Sequence, residues 1–201
     1  MVLTILAVWL WFAAREIYGA IKTRNAKGLL GLVAGTFLAI GAIGFFGAAL
    51  ASMTDWLPNS FEWPIGEAKG AVTTDDHYHV VPHTPAGRIQ VYNNKWIFIR
   101  GWHVDASSGT FKLYISETNR INVITARRQM HYVYNIDGKL LSAVNYPVTG
   151  YSSFPNTGEI CRVPTPIWLW VFTGPFYSWL VAIAGFGLLF AKNKIFPPGK
   201  Q

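Results

Sequence analysis

Two carboxylates and three imidazoles crowd one short run of this 201-residue chain, DDHYHVVPH: Asp75, Asp76, His77, His79 and His83. Imidazole and carboxylate are ligands for zinc, copper or iron, and alternate residues of a strand project from one face, so His77 and His79 are spaced to share an ion. A closed site needs a third and a fourth ligand. Only His83, His103 or His131 folding back would supply them, and no cysteine pair or zinc-type spacing enforces that. The competing readings are a polar loop that happens to hold histidines and a pH-sensing cluster, since imidazole titrates near neutrality. The expectation is that no metal or other cofactor is bound, with His77, His79 and His83 as the leading candidate ligands should one be.

The other reactive side chains carry less. The single cysteine, Cys161, excludes an intrachain disulfide. It could be acylated, react or ligate, but a lone thiol reads most simply as a small apolar group. Arg127 and Arg128 suit an anionic headgroup or an acidic partner, and equally a solvated turn between strands. No nucleotide-binding glycine loop, nucleophile elbow, paired-histidine zinc helix or haem-attachment motif is present. The chain is therefore expected not to be an enzyme.

The elements that position these residues are set by composition. Hydrophobic residues make up 51% of the chain and charged residues 13%, about half the charge of an ordinary soluble domain. Residues 28–54 and 163–191 contain no charge at all, and each exceeds the roughly 20 residues needed to cross about 30 Å of hydrocarbon. Both are expected to be membrane-spanning helices, bounded by Lys27 and Asp55 and by Arg162 and Lys192. Residues 1–14 alone are too short at about 1.5 Å per residue, but continued as helix past Arg15 and Glu16 to Ile21 they make a third span. Arg15 then lies near one end, where its stem carries the charge to the headgroups. A cleaved leader is disfavoured because no basic residue precedes the apolar stretch, and a helix lying in the interface because the stretch is apolar all round.

Charge also orients the chain. The net charge of +7 is concentrated in Arg15, Lys22, Arg24 and Lys27 between the first two spans and in Lys192, Lys194 and Lys200 in the tail, whereas residues 55–162 hold ten basic and nine acidic side chains. Basic ends face the cytoplasm, so residues 55–162 are expected outside, on the periplasmic or external side of a bacterial inner membrane. With the cations spent on topology, no nucleic-acid groove is expected. Trp56, Trp63, Trp168 and Trp170 flank the spans as candidate interface anchors.

Between the spans the apolar period shifts to two. Strands are expected around Ile89 and Val91, over residues 96–104, and around Phe111, Val123, Tyr132 and Leu141, with a hairpin at Asp137 and Gly138. This is an antiparallel meander closing as a small barrel or sandwich, with the run 96–104 as its central or doubly covered strand. The Pro-rich stretches 57–86 and 146–166 read as ordered, irregular connectors.

The expected architecture is a membrane α+β chain: residues 1–54 form two transmembrane helices, 55–162 an extracytoplasmic β domain, and 163–201 the third helix and a basic tail. Small residues in helical register, Gly31, Gly35, Ala39 and Ala42 with Gly44 and Ala48 on a neighbouring face, would let the second helix touch others. They serve either this chain's own bundle or another membrane subunit. The second and third spans hold no ionisable residue in their interiors to mark an ion path, and no histidine to hold a haem. By elimination, the expected function is a non-catalytic accessory or assembly subunit of a larger membrane complex. The alternatives are a membrane-anchored metal-binding or sensor protein using the histidines, and a plasmid or phage exclusion or immunity protein.

Overall fold

The computed structural model describes residues 2–23, 26–116, 119–155 and 158–196. Helices lie at both ends and antiparallel sheets between them, in an α+β arrangement. The chain divides into two compact units, Met1–Ala48 with Gly174–Gln201, and Ala49–Thr173.

The helical unit contains α1 (Val2–Thr23), most of α2 (Ala26–Met53) and α3 (Pro175–Ile195). All three are long and apolar enough to cross a membrane. The helix α1 runs unbroken through Arg15 and Glu16. One of these charges finds a partner within the unit: Glu16 is ion-paired with Lys192 of α3. The expected start of the third span at residue 163 is corrected, because α3 begins only at Pro175. Pro164 and Pro166 force the preceding backbone out of the helical region, the chain makes a 3-10 turn over Ile167–Phe172, and extended Gly174 then hands over to Pro175 at the first helical position. Residues 163–173 belong to the other unit.

Among the described residues that unit holds nine strands: β1 (Glu67–Thr73), β2 (His79–His83), β3 (Arg88–Tyr92), β4 (Phe98–His103), β5 (Phe111–Ile115), β6 (Ile121–Thr125), β7 (Met130–Tyr134), β8 (Leu140–Asn145) and β9 (Glu159–Arg162). They form two antiparallel sheets, ordered β4-β3-β2-β1-β9 and β5-β6-β7-β8. Val80, Ile89, Val91 and Trp102 of the first share one core with Phe111, Leu113, Val123 and Tyr134 of the second. The Asp137–Gly138 hairpin forms as its residues dictate, with Gly138 at φ +78° joining β7 to β8.

Two sequence expectations need correction here. The supposed irregular connectors supply β1, β2 and β9. Their prolines are accommodated because Pro82 sits in a short strand between turns and the others fall outside the ladders. Close approach also matters at this junction: a Cβ on Gly158 would lie 2.3 Å from the Gly70 backbone, where β1 bulges against β9. Secondly, the run 96–104 is not central. It contributes β4, an edge of the five-stranded sheet, whose outer side is covered when Gly101 N–H donates to Asn59 O at 2.8 Å. Trp96, at φ +59°, lies in the preceding turn. The strands buried at every position are β3 in this sheet and β6 in the other.

Candidate interaction surfaces

The polar face of β3 organises the segment that follows α2. Ile89 and Val91 point into the shared core, which leaves Arg88, Gln90 and Tyr92 on the opposite face by strand alternation. Arg88, 1% exposed, donates through Nη2 to Pro58 O at 2.7 Å and Phe61 O at 2.9 Å. Gln90 clasps Trp63 reciprocally: its Oε1 accepts from Trp63 N–H at 2.6 Å, and its Nε2 donates to Trp63 O at 3.0 Å and to Tyr92 Oη at 2.7 Å. Burial pulls the Arg88 guanidinium down from its ordinary range, opposed by the charge of Asp55. It pushes the Tyr92 phenol up, reinforced by the charge of Glu62. Residues 57–63 are thus fixed as a cover over β3 by Arg88 and Gln90, with Tyr92 bracing Gln90 on the same strand face.

The segment leading to α3 is held in the same way. Trp63 Nε1–H donates to Phe172 O at 3.0 Å, Gly66 N–H to Thr165 Oγ1 at 3.1 Å, and the buried His83 ring bonds Thr173 O through Nε2 at 2.9 Å. A carbonyl only accepts, so Nε2 carries the proton and Nδ1 is bare; among the described residues it has no partner. Burial pushes the His83 pKa down to about 4.

The candidate ligands therefore part company. His83 is consumed by Thr173. His79 stacks on Trp96 at 4.2 Å and meets Thr73 Oγ1 through Nδ1 at 3.2 Å, while His77 lies exposed in the preceding turn at φ +62°. Desolvation, then the neighbouring His77, lowers the His79 pKa. His131 bonds Asn122 Oδ1 at 2.9 Å. Among the described residues, no three of His, Cys, Asp and Glu are grouped to hold a metal ion. Cys161 lies in β9 opposite Ala68, and burial pushes its thiol up, away from the reactive thiolate. Arg128 pairs with Asp105 at 3.0 Å in the solvated setting expected of a turn.

The tryptophans divide too. Trp63 is a correction: buried against β3 and close to the His83 ring, it is not an interface anchor. Trp56 is exposed, and Trp168 more so at 71%, beside Ile167. Trp170 is half-buried, donates to Thr165 O at 3.2 Å and carries the Arg162 guanidinium 5.3 Å over its ring.

Small residues bring the helices together. A Cβ on Gly35 would lie 2.9 Å from Ala13 O of α1, and one on Gly31 would touch both Glu16 and Lys192 at 3.4 Å. Toward α3 the close residue is Gly41, where a Cβ would meet Ala182 at 2.6 Å; reciprocally, one on Gly185 would lie 3.0 Å from Ala34 O. Ala42, Gly44 and Ala48 are buried and Ala39 half-buried. Gly31 and Gly35 thus face this chain's own α1. Gly41 escaped the four-residue spacing, but Ala34, Gly41 and Ala48 recur every seven residues, a signal that would have found it.

Apolar surface stays exposed in both units, on the outward sides of α1 and α2 among others. On α3 the buried residues are small (Ser178, Ala182, Gly185), and Phe176, Trp179, Leu180, Ile183 and Phe190 are exposed. On the β unit, all six residues of edge strand β8 are exposed, Leu140, Leu141 and Val144 among them, and no described strand pairs with its outer side. The chain matches no family model and no curated protein.

Proposed function

We propose that this chain is a non-catalytic accessory or assembly subunit of a larger membrane complex, with α1, α2 and α3 spanning a bacterial cytoplasmic membrane and the β unit on the periplasmic side. The helical unit supports lipid as its solvent: small side chains face inward and large apolar ones outward, the reverse of a water-soluble bundle. The basic residues at one end of the helices support the orientation.

The observation that carries partner binding is β8. Soluble proteins blunt their sheet edges with charge, proline or short length. The sequence LLSAVN of β8 has neither charge nor proline, presents leucines and valine to solvent and leaves a row of backbone donors and acceptors open. Such an edge suits strand addition by the extracytoplasmic part of another subunit, with backbone bonds giving affinity and alternate side chains selectivity. The small-residue faces of α2 are already occupied within the bundle, so contact in the membrane falls to the outward aromatic and aliphatic sides of the helices, Val8, Trp11 and Phe12 of α1 as well as those of α3.

The test is co-purification in mild detergent, with the wild type and a Leu141→Lys, Val144→Lys double variant. Both positions are exposed, so stability should change by no more than about 0.5 kcal/mol each. The expected result is a defined multi-subunit complex from the wild type that the variant loses while keeping its melting temperature. A wild-type monomer without partners, or an unimpaired variant, would overturn the reading.

A further inference from the structure

Where α1 ends, α2 begins and α3 closes, the helical unit opens a cleft of about 310 Å³. Arg15, Lys27 and Lys192 line it against a single carboxylate, Glu16, which is already paired with Lys192. Arg15 is placed by its contact with the Trp11 ring, 5.8 Å from the centroid. Among the described residues, no carboxylate forms a salt bridge with Arg15 or Lys27. The cleft therefore carries an excess of two cations. Glycines keep it open: Gly19, Gly28 and Gly31 contribute no side chain, and a Cβ on Gly31 would press on the Glu16–Lys192 pair.

Backbone dipoles do not create this excess, because one helix N-terminus and two C-termini meet at this end. The attraction for an anion comes from Arg15 and Lys27. The size lies at the lower end of the roughly 300–1,000 Å³ usual for ligand pockets, which suits a headgroup and excludes a whole lipid. One wall is Tyr18, 71% exposed and apolar along its ring, so the cleft grades from charge to hydrocarbon.

We propose that this cleft binds the phosphate group of an anionic phospholipid, with the phosphodiester between Arg15 and Lys27, the Glu16–Lys192 pair as its floor and the acyl chains running along the outer face of α1. This rests on the membrane-spanning reading of the helices. A phosphodiester matches the site chemically: guanidinium offers it paired N–H donors, ammonium a point charge, and the surrounding low dielectric strengthens both. The neutral Glu16–Lys192 pair removes the one carboxylate that would repel it.

The full chain is placed in vesicles of equimolar phosphatidylcholine and phosphatidylglycerol, floated on a density gradient, extracted in mild detergent and analysed by native mass spectrometry for retained lipid. The expected result is selective retention of phosphatidylglycerol. Arg15→Gln and Lys27→Gln should each lower it about fivefold, the equivalent of about 1 kcal/mol per cation. Arg15→Lys should restore most of the retention, and Lys95→Gln on the β unit should leave it unchanged. Equal retention of both lipids, or of phosphatidylglycerol by wild type and both Gln variants, would overturn the proposal. Displacement of the lipid by millimolar inorganic phosphate would overturn the lipid as occupant and assign the cleft to a free phosphate. Failure of the wild type to float would instead sink the membrane reading on which this site rests.

Discussion

Acidification should unfasten the β unit at His83. The ring is 3% exposed, donates from Nε2 to Thr173 O and has its pKa pushed down to about 4 by burial, the carbonyl bond opposing the shift. In the unfolded chain the same imidazole titrates near 6.5. The folded pKa is the lower of the two, so the unfolded chain takes up the proton first. Stability is intact above about pH 6.5, falls by about 1.4 kcal/mol per unit below it and levels off below about pH 4. The full loss is about 3 kcal/mol, of which about 2.5 is gone by about pH 4.5. Burial also depresses His79 and His131, which tilt the curve in the same direction, so the contribution of His83 must be isolated by subtraction. His83→Gln does this: its amide can still donate to Thr173 O but does not titrate. Urea unfolding in mild detergent, followed by tryptophan fluorescence at a series of pH values, should show a steeper acid loss in the wild type than in His83→Gln, the two diverging by about 2.5 kcal/mol by about pH 4.5. Parallel curves would refute the burial argument.

Two further outcomes follow from packing. Arg88→Ala strips the Pro58 and Phe61 carbonyls of a charged donor and empties a buried site, so thermal unfolding should show a loss of about 2–4 kcal/mol. Arg88→Met, which fills the space and removes the buried charge, should cost less, and equal losses would contradict this account. In the helical unit, Gly41→Ala drives a methyl into Ala182 and should lower the melting temperature by several degrees. Gly187→Ala, with nothing within 4 Å, should leave it unchanged or raise it slightly.

The legible parts of this fold were those encoded over short stretches. Freedom from charge marked α2 and the body of α3, a nearly continuous apolar run marked β4, and alternation marked β3 and β5 through β8, because each pattern reports one element against its own environment. The third helix was misjudged at its start because hydropathy cannot distinguish a 3-10 turn from an α-helix, whereas Pro164, Pro166 and Gly174 could have done so. The strands β1, β2 and β9 were hidden because their prolines and their bulge look like loop until a neighbour pairs with them.

The sequence by itself determined that three apolar helices would bracket a β module and where their charges would lie, since partition between water and an apolar phase depends on local composition. Only the tertiary structure decided that Arg88 and Gln90 would be buried clamps, that Trp63 would leave the surface and that His83 would bond Thr173 instead of joining His77 and His79. Each of these polar groups can satisfy its hydrogen bonds in water or with a distant partner. Which it does depends on contacts many residues away that no local period records.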